Sequence, residues 1–263
     1  MALLPPLDGR RTGPPHGQQT LCHNASATSA TTHKAERRVM VHSHRGTASE
    51  VGSPTTEATP QVVNSSRAGM RIYVAGASGV IGNHLLPLLV DAGYTVGAMT
   101  RSAAKARRLA SMGAQPIVCD VFDRPALTNA VRTFSPDLLL HELTDLPDEL
   151  KDLPEISLLN ARIRDEGTRN LLDAIGDLDG TKVVAQSVAW TMRPGPEADA
   201  VASLEQAVLA VNGVVLRYGF LYGPGTYYET ELPPEPRVHV DVAATRTFDA
   251  LSAPSGVQTI VDN

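Results

Sequence analysis

The chain has 263 residues, 42 % of them apolar, and a net charge of −5. That is enough apolar material for one large or two small domains, and there is no basic excess to suggest a nucleic-acid partner. The two cysteines, Cys22 and Cys119, offer neither a disulfide framework nor a metal site, which fits a reducing compartment; no apolar run is long enough to span a bilayer, so no membrane partner and a cytoplasmic location are expected.

Residues 1–69 contain no Phe, Tyr or Trp and hold five of the eight histidines, with runs such as "NASATSATT" and "TASEVGSPTTEATP". Such a segment buries too little apolar surface to offset its ordering entropy and is expected to be disordered. "MALLPPL" is too short and proline-rich for a signal-peptide core. The richness in Ser and Thr and scarcity of acids suit a transit peptide, but no amphipathic basic helix accompanies them. The sequons at Asn24 and Asn64 have meaning only on secretion. Met70 directly precedes the first strand, so 1–69 reads as an extended start or an appended segment, and 70–263 as one α/β domain.

From there strands and helices alternate. Arg71–Ala75 reads as a strand and Val80–Ala92 as a helix. Thr95–Met99 is a second strand and Ser102–Met112 a basic-faced helix ending at Gly113. Gln115–Cys119 is a third strand, and Pro125–Phe134 a helix with proline at its start. "DLLLHEL" is a continuous apolar run, as for a strand covered on both faces. "ISLLNARIRDEGTRNLLDAI" predicts a long helix, weakened by Gly167, with Leu158, Ile163, Leu171, Leu172 and Ile175 inward. "KVVAQS", "GVVLRYG" and "GVQTIVD" are further strands, with a helix in "VASLEQAVLAV" between the first two. This alternation predicts a doubly wound parallel sheet of the Rossmann type.

The turn after the first strand carries Gly76-x-x-Gly79-x-x-Gly82. Gly76 permits the tight turn, Gly79 a close approach of backbone to pyrophosphate, and Gly82 packing of the helix on the sheet. Backbone N–H groups of Ala77, Ser78, Val80 and Ile81 and the helix dipole then face the phosphates, and Ser78 adds a hydroxyl. The strand before and the helix after give the motif its context. Where an acid would bind the ribose diol, the chain reads Met99-Thr100-Arg101-Ser102. Arg101 suits a 2′-phosphate, so NADP is expected ahead of NAD, which remains possible. In "CDVFD", Asp120 stands at the carboxyl edge of the sheet, able to accept from an adenine amino group, and Asp123 is the better cap for the next helix.

"VAGASGVIG", "CDVFD", "NARIRDEGTRNLLDA", "VVAQSVAW", "VVLRYGFLYGPG" and "HVDVA" occur in the order seen in the extended branch of the short-chain dehydrogenase/reductase superfamily, the NAD-dependent epimerase/dehydratase-like proteins, which the chain resembles over nearly all of 70–263. The resemblance implies that Asp120 and Val121 contact adenine, that Glu142 and Leu143 line the ribose, that Ser187 is the active-site serine, and that Tyr222, Gly223 and Pro224 border nicotinamide and substrate. It also implies a small-molecule substrate: a carbonyl, a hydroxyl or a sugar nucleotide.

Two departures qualify this. The family's Tyr-x-x-x-Lys pair, in which lysine tunes the tyrosine for proton exchange, is absent; counting back from Glu205 puts Glu197 and Val201 in its places. The substrate-binding insertion is reduced to "TYYETELPPEPR" and the chain stops at "TIVDN", so the C-terminal substrate lobe is expected to be small. Of the other polar residues, Glu142 is read as cofactor-lining or structural ahead of an acid or base, Trp190 stacks on nicotinamide or substrate or is an ordinary strand-end aromatic, and Asp145, Asp148, Glu149 and Asp152 make a solvated loop. Arg217 braces the loop after the sixth strand. Two functions are compatible with this: an oxidoreductase or epimerase-like enzyme with Ser187 orienting the substrate and Tyr222 or a water handling the proton, or an NADP(H)-binding sensor without turnover.

Overall fold

The computed structural model describes residues 69–146, 153–176 and 178–262. The expected disordered tail, apart from Gly69, and the acidic residues Asp148, Glu149 and Asp152 lie outside the described residues. Seven parallel strands form the main sheet: β1 (Arg71–Ala75), β2 (Thr95–Thr100), β3 (Gln115–Val118), β4 (Leu138–His141), β5 (Lys182–Val188), β6 (Val214–Tyr218) and β9 (Gly256–Ile260), in the order β3-β2-β1-β4-β5-β6-β9. A two-stranded parallel ribbon, β7 (Phe220–Tyr222) with β8 (Arg237–His239), lies outside it. The helices are α1 (Val80–Asp91), α2 (Ala103–Ser111), α3 (Arg124–Phe134), α4 (Leu153–Arg162), α5 (Thr168–Ile175), α6 (Pro196–Ala210) and α7 (Val240–Ala250). The strand order reverses between β1 and β4, which opens a crevice at the carboxyl ends of the strands.

The alternation of side chains along β1 builds both faces. Ile72 and Val74 enter a core with Leu85, Leu86 and Leu89 of α1 and Ala243 and Ala244 of α7. Tyr73 and Ala75 enter the opposite core with Leu127 and Val131 of α3, Leu171 and Ala174 of α5, and Leu204 and Val208 of α6. Strands buried on both sides need no polar face, which is why "DLLLH" is apolar throughout.

Four sequence expectations are corrected. The fourth strand stops at His141, so Glu142 and Leu143 leave the ladder, although the Glu142 N–H still donates to the Ala75 carbonyl at 2.7 Å. The long helix is interrupted by a π-helical turn, Ile163–Gly167. The extra residue in that turn rotates the upstream face by about 100°, so Leu158 is 67 % exposed while Ile163, Leu171 and Ile175 are buried. α6 begins at Pro196, upstream of the expected Val201, with Pro at its first position and Glu197 and Asp199 in the first turn, where the helix dipole favours them. α7 is an element the sequence reading lacks. Its buried Val240, Ala243, Ala244, Thr247 and Ala250 follow the i, i+3, i+4, i+7 spacing of an amphipathic helix, and His239 caps it by accepting from the Asp241 N–H.

Candidate active site

Gly76 leaves β1 at φ +95°, and a Cβ there would lie 2.5 Å from the Glu142 backbone; conformation and contact both require glycine. A Cβ at Gly82 would lie 2.5 Å from the Ala77 carbonyl, so the helix is seated against the turn itself. Gly79 differs: its φ of −79° suits any residue, and a Cβ would meet only the Gly76 carbonyl, at 3.2 Å. Its side faces the cleft. No side chain caps α1, so the first N–H groups of the helix, at Val80 and Ile81 on the cleft wall, are left for a ligand. These residues fit a pyrophosphate. Ala77 is fully buried behind them, and Ser78 is 3.0 Å from Thr100 Oγ1 at the β2 tip.

The tip of β2 has no carboxylate. Arg101, Ser102, Lys105 and Arg108 all line the cleft there, with Ser102 capping α2. Arg101 donates to Asp145 Oδ1 at 2.8 Å, which corrects the reading of Asp145 as a merely solvated loop residue. At the β3 tip, Asp120 Oδ1 accepts from the Phe122 N–H at 3.0 Å, while Asp123 caps α3 as expected. Val121 lines the cleft, and its carbonyl is held by Asn170 Nδ2 at 3.0 Å.

The densest chemistry is at the tip of β4. His141 is buried; its Nδ1 accepts from the Leu143 N–H and its Nε2 donates to Thr168 Oγ1 at 3.0 Å. Burial first, and the charge of Arg164 second, push the imidazole down to about 4. Glu142 is buried at 6 % exposure yet lines the cleft. Burial pushes its carboxyl up to about 8, against the opposing effect of a hydrogen bond with Tyr218. Tyr218 Oη lies 3.1 Å from Glu142 Oε1 and 2.6 Å from Thr247 Oγ1, which in turn donates to the Ala243 carbonyl at 2.7 Å. The Tyr218 hydroxyl donates to Glu142 Oε1 and pairs with Thr247 in the same chain of hydrogen bonds. Burial, and then the neighbouring Glu142, hold the Tyr218 phenol well above its ordinary range.

Ser187, at the end of β5, also lines the cleft. Its hydroxyl donates to Glu205 Oε1 at 2.5 Å. Glu205 accepts a two-pronged pair from Arg217, Nε at 2.8 Å and a terminal nitrogen at 2.6 Å, which holds its carboxyl below the ordinary range, with the Ser187 bond helping. Arg217 therefore braces α6 rather than the loop after β6. The Ser187 proton is directed toward α6, and its lone pairs remain for the cleft. Tyr222 is placed differently from the expectation: its hydroxyl donates to Asp262 Oδ2 at 2.8 Å, its ring packs edge-on against His239, and it is not among the residues lining the cleft. Gly223, at φ +104°, lies against the same His239 ring.

Gly79, Arg101, Val121, Glu142, Ser187 and Tyr218 share one cleft of about 1260 Å³, room for a dinucleotide and a small substrate. Trp190 stacks on Phe220 with centroids 4.3 Å apart, forming an aromatic wall. Glu197 and Arg164 line it as well; Val201 does not. Sequence reasoning missed Tyr218, Thr247 and Arg164. The trace they leave is a polar residue inside an otherwise buried run: Tyr218 in "VVLRYG", Thr247 on the inner face of α7.

Residues 72–202 match the model of the NAD dependent epimerase/dehydratase family. The chain is 37 % identical over 182 residues to a 3-diazoavenalumate denitrifying reductase of Streptomyces sp, covering 60 % of this chain and 59 % of that protein. It is 32 % identical over 181 residues to a 4-hydroxy-2-methyl-3-oxo-4-farnesyl-3,4-dihydroquinoline-1-oxide ketoreductase of Stigmatella aurantiaca, covering 59 % of this chain and 51 % of that protein. The chain thus spans between about half and three-fifths of these two relatives' lengths. Among solved structures, the UDP-glucose 4-epimerase of Thermus thermophilus in complex with NAD superposes with a TM-score of 0.61 at 24 % identity, covering 73 % of this chain and 78 % of the other, a likeness of fold.

Proposed function

Given that residues 72–202 match the NAD dependent epimerase/dehydratase family, we propose that this chain is an NAD(P)H-dependent reductase of a small carbonyl compound. The observation that carries this reading is the opening of an uncapped glycine cradle and a buried acid, Glu142, onto one continuous cleft. The names of the two relatives, a reductase and a ketoreductase, favour reduction over epimerisation.

Gly76, Gly79, Gly82 and the first N–H groups of α1 would hold the pyrophosphate; Val121 and Asp120 would border the adenine, and Leu143 the ribose. The β2 tip, with Arg101, Lys105 and Arg108 and no acid of its own, the nearest being the Asp145 that pairs with Arg101, favours NADP(H), with NAD(H) the weaker ligand. The bound cofactor supplies hydride. The chain must supply a proton, and the usual pair is replaced by Glu197 and Val201, which cannot act as a tyrosine–lysine couple. Glu142 is protonated at neutral pH and reaches the cleft. Once it gives up its proton, the carboxylate left behind keeps the Tyr218 O–H as its donor, so the ionised state has a partner. Ser187, its own proton held by Glu205, accepts from or positions the substrate. The place of Tyr222 beside Asp262 makes it a support of the "YGPG" turn.

The test is a fluorescence titration with NADPH and NADH, followed by single-turnover oxidation of the bound dinucleotide against a panel of aldehydes and ketones. NADPH binding with turnover that falls on the order of 10²–10⁴-fold in Glu142→Gln supports the reading. Absence of dinucleotide binding overturns it. The missing tyrosine–lysine pair favours a second reading, a dinucleotide-binding protein without turnover; tight binding with no oxidation by any carbonyl would select it.

A further inference from the structure

Arg164 projects from the π-helical turn between α4 and α5 and is 7 % exposed, yet it lines the cleft. Among the described residues its guanidinium has no hydrogen bond and no ion pair. Burial lowers its pKa, and only the field of Glu197, beyond ion-pair distance, opposes that. The other ionisable groups nearby do not neutralise it. Glu142 is held protonated, Asp145 is engaged by Arg101, and His141 is kept neutral partly by Arg164 itself. An uncompensated buried cation is costly, and π-helical turns are frequent where a helix is bent to serve a site.

We infer that Arg164 is the anion-binding residue of the substrate end of the cleft, and that the substrate is a small, flat, apolar or aromatic carbonyl compound bearing a carboxylate. This rests on the reductase reading given above. A carboxylate fits better than a phosphate, because a single planar guanidinium matches one carboxylate in a two-pronged pair and, among the described residues, no second cation acts on it. The Trp190–Phe220 stack and Met192 line the same cleft and suit the apolar body. The α1 N-terminus and the β2 tip are the proposed partners of the cofactor's phosphates, whereas Arg164 feels the field of Glu197, another residue of the cleft wall.

The experiment compares benzoate with benzamide, planar isosteres that differ in charge, by calorimetry on the whole chain, with and without saturating NADPH. Wild type should prefer benzoate at least tenfold, the lower bound for a charge-assisted pair. Arg164→Gln should lose the preference, Arg164→Lys should keep part of it, and NADPH affinity should be unchanged in both. Because Arg164→Gln removes an uncompensated charge, its Tm without ligand should not fall. No benzoate preference in wild type, a preference that survives Arg164→Gln, or a loss of NADPH affinity in that variant, which would assign Arg164 to the cofactor phosphates, each overturns the inference. Failure of wild type to bind any dinucleotide would sink the reductase reading instead, while the comparison without cofactor would still decide Arg164.

Discussion

Replacing Glu142 with glutamine should change how stability depends on pH, in a window set by two adjacent buried groups. Burial holds the Glu142 carboxyl at about 8, against 4.5 for the free group, and the His141 imidazole at about 4, against 6.5. Between pH 4.5 and 8 the native chain keeps the Glu142 proton that the unfolded chain has released. The stability from Glu142 is therefore fully present below 4.5 and is lost as pH rises, by about 1.4 kcal/mol per unit. His141 runs the other way: its contribution is full above 6.5 and is lost as pH falls to 4. The slopes cancel between 4.5 and 6.5, leaving one and a half units above that, an uncompensated fall on the order of 2 kcal/mol between pH 6.5 and 8. Glu205 is held below the carboxylate range by Arg217 and stays outside this window. In Glu142→Gln the fall should vanish, and stability should rise from about pH 4 to 6.5 and then stay level. Urea unfolding at half-unit intervals from about pH 5 to 9, followed by the fluorescence of Trp190, the sole tryptophan, measures both curves. A wild-type curve level across that upper window, or the same fall in the variant, would refute the assignment of a protonated Glu142.

Gly79→Asp should fold normally, since the φ of −79° is ordinary, yet lose NADPH and NADH binding because a carboxylate would meet the pyrophosphate; dinucleotide titration and a circular dichroism melt separate the two effects. Arg101→Ala should weaken NADPH by about 1.5 kcal/mol, roughly tenfold, and leave NADH unchanged, the low end of a charge-assisted contact because Arg101 is half-exposed. Asp145→Asn, which frees Arg101, should tighten NADPH in the same titration, and equal changes for both dinucleotides would contradict the 2′-phosphate role. Ser187→Ala should lower single-turnover oxidation of NADPH without changing its affinity; a loss of affinity alone would place Ser187 with the cofactor.

The sheet is legible because a doubly wound fold writes itself twice, in apolar strand runs and in glycine turns. Ile72 and Val74 against Tyr73 and Ala75, and the spacing of Gly76, Gly79 and Gly82, are local patterns, and local patterns survive in a linear string. What is not legible depends on register between distant segments. One period carried through the long helix places Leu158 inward, and nothing in "RIRDEG" announces the extra residue of a π-helical turn. That same turn buries Arg164 in the cleft, so the phase error and the missed cation have one cause. The chain from Glu142 through Tyr218 to Thr247 is assembled from β4, β6 and α7, segments that meet only because the strand order brings β4 and β6 to either side of β5 and α7 packs beneath them. No tyrosine and lysine stand four residues apart in the chain, and the acid proposed to supply the proton, Glu142, is held neutral by burial rather than by a neighbouring cation. Its proton is kept by desolvation, a property of the folded surroundings that no spacing in the sequence encodes.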